Sequence, residues 1–172
     1  MSGQLFLDAT IETFQKQKEL AEGAIAQLDF DRLREPLDRN TNSIAVIMKH
    51  VAGNLISRWT DFLTTDGENP NRNRDGEFID DFASREQLLE HWERGWAVLF
   101  QTLEELTPID LPKIVTIRGE PHTVVLAIQR ALGHTGYHTG QIVQTARVLA
   151  GDNWTVLTMP RKGDLKNGER GA

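Results

Sequence analysis

The chain has 172 residues, 39% of them hydrophobic and 26% charged, the balance of an ordinary globular protein. A formal net charge of -6 and the lack of any Lys/Arg run argue against a nucleic-acid surface, which needs a basic patch, so no nucleic-acid partner is expected. Cysteine is absent, which excludes disulfides, zinc knuckles and a thiol nucleophile of the chain's own.

The first residues, MSGQLFLDAT, lack a basic stretch followed by an apolar one, so no signal peptide is expected. No stretch approaches the roughly 18 apolar residues of a spanning helix, so no membrane partner is expected either. The expected compartment is the cytoplasm, and the sequon Asn153-Trp154-Thr155 carries no weight without export. The expected organisation is one domain over residues 1–160 and a charged, Gly-containing tail, predicted to be disordered, over 161–172.

From about Gln4 to Leu28, the spacing of Leu7, Ile11, Phe14, Lys18 and Ala21 predicts an amphipathic helix. A polar connection broken by Pro36 follows and ends in the cap-friendly Thr41 and Ser43. A second helix is predicted from Ser43 to Thr64 on the repeat of Ile44, Ile47, Val51, Leu55, Trp59 and Phe62. Residues 64–78 are dense in Gly, Asn, Asp and Pro and predict a crossover or a loop near a functional site.

Ser84 and Gln87 form a capping-box pattern that opens a third helix, which carries Leu88, Trp92, Trp96, Leu99 and Leu103 toward Pro108. The β-branched run Ile114 to Ile117, closed by Gly119, predicts an extended segment or a small hairpin. A fourth helix is predicted from Thr123 to Ala150, with Gly151 as its stop. The fold class is therefore all-α: a four-helix bundle with long crossover connections and that short extended segment or hairpin between its third and fourth helices.

Familiar enzyme patterns are missing. No histidine has an acidic residue three positions before it, as di-iron bundles require, and the position after His134 is Thr135 rather than a glutamate base. No phosphate-binding loop, dinucleotide fingerprint or nucleophile elbow occurs. The histidines remain.

His134 and His138 are four apart in HTGYHTGQ and share one flank of the fourth helix, roughly 120° and 80° from the centre of its apolar stripe. Gln141 lies beside them, and the same helical wheel places Tyr137 on the opposite side. His50 sits at the edge of the second helix's apolar face, and Asn54 and Arg58 continue that ridge. If the two rims face each other, three imidazoles meet in a cleft open to solvent, the arrangement of a three-histidine metal site with a free fourth position. The plain alternative is a pair of ordinary histidines at a helix edge. Gly133, Gly136 and Gly140 suggest close approach of something, either a ligand or a neighbouring helix. His91 reads as a surface or capping histidine, and His122 as a hydrogen-bonding residue at the start of the fourth helix.

A histidine early in the second helix followed by H-x-x-x-H in the fourth resembles the DinB-like superfamily of metal-binding four-helix bundles. HVAGNLISRWTDFLTTDGE, VTIRGEPHTV and HTGYHTGQIV are similar to a branch of it without an assigned substrate. The resemblance implies that His50, His134 and His138 are the ligands of a divalent metal, usually zinc or nickel. It also implies homodimers, and a thiol-dependent transferase or isomerase in which bacillithiol, mycothiol or glutathione supplies the sulfur.

A metal-bound thiol is deprotonated outright, so a cysteine-free chain could run thiolate chemistry on a small-molecule electrophile with a borrowed thiol. Arg58 and Arg74 are candidate anion contacts, and Asn54 and Gln141 could orient a ligand or water. The plain readings are a flank ion pair for Arg58, local pairing of Arg72 and Arg74 with Asp75 and Glu77, and a loop contact for Asn54. Two other functions stay open: a metal-dependent hydrolase, and a non-catalytic metal-binding or structural bundle with Gln141 or a carboxylate closing the metal.

Overall fold

The computed structural model describes residues 3–68 and 72–159. The described chain is mostly helical: α1 (Gly3–Ile25), a short α2 (Phe30–Arg34), α3 (Ile44–Trp59), α4 (Arg85–Glu105) and α5 (Val124–Ala150), with single 3-10 turns at Asp75–Phe78 and Gly151–Asn153. Two strands, β1 (Ile114–Ile117) and β2 (Glu120–Thr123), pair antiparallel with Ile117 opposite Glu120. No described helix is long and apolar enough to cross a membrane. The tail expected over 161–172 lies outside the described residues.

The caps follow their side chains. Ser43 accepts from the Val46 amide at 3.3 Å, and Thr123 from the Leu126 amide at 3.1 Å. Ser84 accepts from the Gln87 amide at 3.4 Å, but Gln87 returns to the amide of Ala83 rather than to that of Ser84. α5 stops at Gly151, whose φ of 57° suits glycine.

The predicted stripes are the core. Leu7, Phe14, Trp92, Trp96, Leu99 and Ile128 are among its fully covered members, with Phe14 edge-on to Trp96 at 6.3 Å between centroids. α1 packs chiefly on α5 and α3 chiefly on α4, while narrower α3–α5 and α1–α4 contacts join the two pairs. Helices α1 and α3, consecutive among the long ones, are not main partners, and neither are α4 and α5. The stretches 26–43 and 106–123 therefore cross between the two pairs.

Two boundaries differ from the sequence reading. The connection after α1 contains α2, capped by Asp29, whose carboxylate accepts from Arg32 N at 2.9 Å, and anchored by the buried Leu33. α3 ends at Trp59 rather than Thr64: Thr60 turns extended, with ψ of 128°, and Asp61 after it takes a left-handed φ of 50°. Phe62 is buried all the same, stacked on Trp59 at 4.5 Å from within a turn.

The hairpin is held from outside. Its two-residue turn has φ of 56° at Arg118 and 76° at Gly119, the pattern that matches strand twist. The Asp66 carboxylate accepts from both turn amides, at 2.9 Å and 2.7 Å. The amides of Gly119 and Glu68, and then that of Arg118, hold its pKa below the ordinary carboxylate range against the effect of burial. Residues 66–68 are thereby joined to the hairpin beside the end of α3.

Helix approach is closest at Gly95, where a Cβ would lie 2.6 Å from the Cα of Ala52. Gly95→Ala is expected to lower stability: overpacking costs about 1–3 kcal/mol and outweighs the roughly 1 kcal/mol of helix propensity gained. Gly133 and Gly140 face nothing within 4 Å. Gly133→Ala and Gly140→Ala are expected to raise stability by up to about 1 kcal/mol. Urea unfolding midpoints of the three variants check both signs.

Candidate metal centre

His50 projects from α3, one turn before Gly53, and meets His134 and His138 from α5. The ring centroids of His50 lie 5.3 Å from His134 and 5.0 Å from His138, and those two are 4.6 Å apart. One nitrogen from each ring lies within 4.8 Å of the others, so the cluster could hold a metal ion. The Nε2 atoms of His50 and His134 are 3.3 Å apart, close to the roughly 3.4 Å between ligand nitrogens of a tetrahedral zinc site. His50 is buried and the other two are half-buried.

Partners set which ring nitrogens face inward. His50 Nδ1 lies 3.0 Å from Glu77 Oε2. An ionised carboxylate only accepts, so Nδ1 carries the proton and Nε2 keeps its lone pair for the cluster. His138 Nδ1 lies 2.7 Å from Gln141 Oε1, which leaves its Nε2 free in the same way. His134 Nδ1 is buried with no partner among the described residues. Burial pushes the His134 pKa down to about 4, with the charges of His138 and His50 adding to it. Burial lowers that of His138 too, against the opposing bond to Gln141. At pH 7 both rings are neutral, the form a metal takes.

Glu77 was expected only as a local partner of Arg72 or Arg74, not as the residue that holds His50. Burial works against its charge, but the bonds from Arg72 and His50 outweigh that and hold its pKa below the ordinary range. Arg72 donates a two-pronged fork, Nε to Oε1 at 2.6 Å and Nη2 to Oε2 at 2.8 Å. Room for the carboxylate comes from Gly53, where a Cβ would lie 2.8 Å from Glu77 Oε1. A mid-helix glycine three residues after His50 was the available signal. The glycines around the histidine pair were not: Gly133 and Gly140 meet nothing, and Gly136 meets only the end of Gln17.

Other expectations sort as follows. Arg72 does pair locally, with Glu77. Arg74 has no acidic partner among the described residues and lines the pocket beside the triad, as do Asn54 and Arg58. Arg58 pairs with Glu68 at 3.0 Å. Gln141 orients His138, and its amide donates to the Tyr137 hydroxyl at 3.1 Å, so Tyr137 lies beside the histidines, its ring 5.0 Å from His138, rather than opposite them. His91 is no cap: it is half-buried on α4 against Phe82, its pKa lowered by burial. His122 is on β2 and bonds to the Glu120 carbonyl at 3.0 Å, while Thr123 caps α5.

Over residues 1–163 the chain matches the model of a family described as protein of unknown function, DUF1572, and it belongs to that family. No curated protein matches the chain. No solved structure matches it either.

Glu77→Gln removes the charge that fixes His50, and Gly53→Ala crowds the same carboxylate. Each is expected to weaken zinc affinity by about 10–100-fold, the usual effect of losing the partner of a liganding histidine. Competition against a chromophoric chelator measures it, with Glu19→Gln on exposed α1 surface unchanged.

Proposed function

We propose that the chain is a DinB-like four-helix bundle in which His50, His134 and His138 hold one divalent metal, zinc or nickel. We further infer that it is a thiol-dependent transferase acting on a small-molecule substrate. The observation that carries the reading is the convergence of three imidazoles from two helices, two of them with Nδ1 already engaged by Glu77 and Gln141. When bound, the metal would supply a Lewis-acidic position at which a low-molecular-weight thiol is held as its thiolate.

The chain's own residues favour this over its rivals. In a structural site a fourth side chain closes the metal. Gln141 is turned to His138 and Tyr137 instead, and no other described histidine or carboxylate joins the three. A hydrolase needs a general base beside the bound water. Glu77 has both oxygens taken by Arg72 and His50, so it is not free for that role. Asn54 lines the adjoining pocket, and in this reading it would orient a bound thiol or its acceptor.

Elemental analysis of untagged protein purified without chelator tests the centre. About one zinc or nickel per chain is expected, lost in His134→Ala. No metal in the wild type after incubation with both ions would overturn the reading. The metal-loaded protein should then consume an electrophile such as chlorodinitrobenzene only when glutathione, bacillithiol or mycothiol is added. Turnover without any thiol would favour hydrolysis.

A further inference from the structure

The pocket beside the triad has about 180 Å³ of space, many times the roughly 15 Å³ that one water needs. It reaches His50 and His134, and its apolar lining includes Trp59, Phe62 and Ile117. Five arginines complete the wall: Arg58, Arg72, Arg74, Arg118 and Arg130. They come from α3, the loop before the first 3-10 turn, the hairpin turn and α5, so five separated positions deliver guanidinium groups to one place.

Acidic partners do not balance them. Glu68 serves both Arg58 and Arg118, each at 3.0 Å, and Glu77 serves Arg72. Asp66 is occupied by the turn amides. Arg74 has no acidic partner among the described residues, and the described contact of Arg130 is a 3.5 Å approach to His122 Nε2. Two guanidinium nitrogens packed behind the wall are also unmatched. Arg58 Nη1 and Arg72 Nη1 are buried with no described partner, on side chains only 12% and 5% exposed. Buried donors left without an acceptor are costly, and like charges gathered on one wall repel.

We propose that this pocket is the recognition subsite for a small organic dianion, a dicarboxylate or a phosphate monoester, whose short carbon skeleton lies against Trp59, Phe62 and Ile117. Two guanidiniums at the rim without an acidic partner among the described residues, Arg74 and Arg130, call for two negative charges rather than one. Arginine suits such groups because its planar fork matches carboxylate and phosphate oxygens. The inference rests on the preceding reading in one respect, that the dianion is the substrate presented to the metal centre. Its binding does not require the metal.

Calorimetric titration of zinc-loaded and chelator-treated protein tests it, with succinate, phenyl phosphate, acetate and succinamide as probes. Succinate or phenyl phosphate is expected to bind one per chain, at least about tenfold tighter than acetate, with no heat from succinamide. Whichever of the two binds identifies the anion class. The Arg74→Gln/Arg130→Gln double variant, changed only at exposed positions, should lose about tenfold, while Arg147→Gln at the far end of α5 should lose nothing. Neither dianion binding tighter than acetate, or the double variant matching wild type, overturns the proposal and leaves an arginine wall held only by Glu68 and Glu77. Dianion binding by a chain that takes up no metal sustains this subsite and sinks the metal centre. Metal uptake without dianion binding does the reverse.

Discussion

A carboxylate taken out of water has to be compensated on both oxygens, or its burial costs several kcal/mol. Glu77 meets that demand with the Arg72 fork and the His50 N–H, and much of the surrounding structure follows from it. The compensation joins the first 3-10 turn to α3 and fixes the proton of His50 on the nitrogen away from the cluster. It also brings Arg72 to the wall of the adjoining pocket. The one residue that makes room is Gly53, so a missing side chain on α3 is as much a part of the centre as the ones present.

The long helices were legible because their burial is periodic. Leu88, Trp92, Trp96, Leu99 and Leu103 repeat at helical spacing and are all buried on α4. The triad was legible for a related reason: His134 and His138 share a flank by spacing alone, and His50 sits at the rim of a clean stripe. What escaped were the partners that distant segments bring to these residues. Glu77 lies 27 positions from His50, in a stretch whose composition reads only as loop. The five-residue α2 has too few turns to show a period, and its evidence is one cap and one buried leucine. Tyr137 was misplaced because the wheel was read against the apolar stripe: opposite that stripe it is still only about 40° from Gln141, four residues on, and so shares its ridge.

The hairpin shows the same division between local and distant causes. The run from Ile114 to Ile117 and the glycine after it are enough to expect a turn. They do not explain why arginine tolerates a left-handed conformation at the first turn position. Asp66 does, by accepting from both turn amides. Because residues 66 and 118 are joined in this way, the segment after α3 and the hairpin form one wall, with Glu68 bridging Arg58 and Arg118 across it.

The charge of the whole chain and the charge of the pocket have opposite signs. A chain of net charge -6 carries a concavity lined by five arginines, three of them paired with Glu68 or Glu77. At physiological ionic strength a charge is felt over a Debye length of about 8 Å. A large polyanion would bring many charges near a chain of net negative charge at once and would meet repulsion there. A small anion fits inside that screening distance and experiences only the local field. On the dianion proposal, the two length scales would make the pocket a size filter for negative charge.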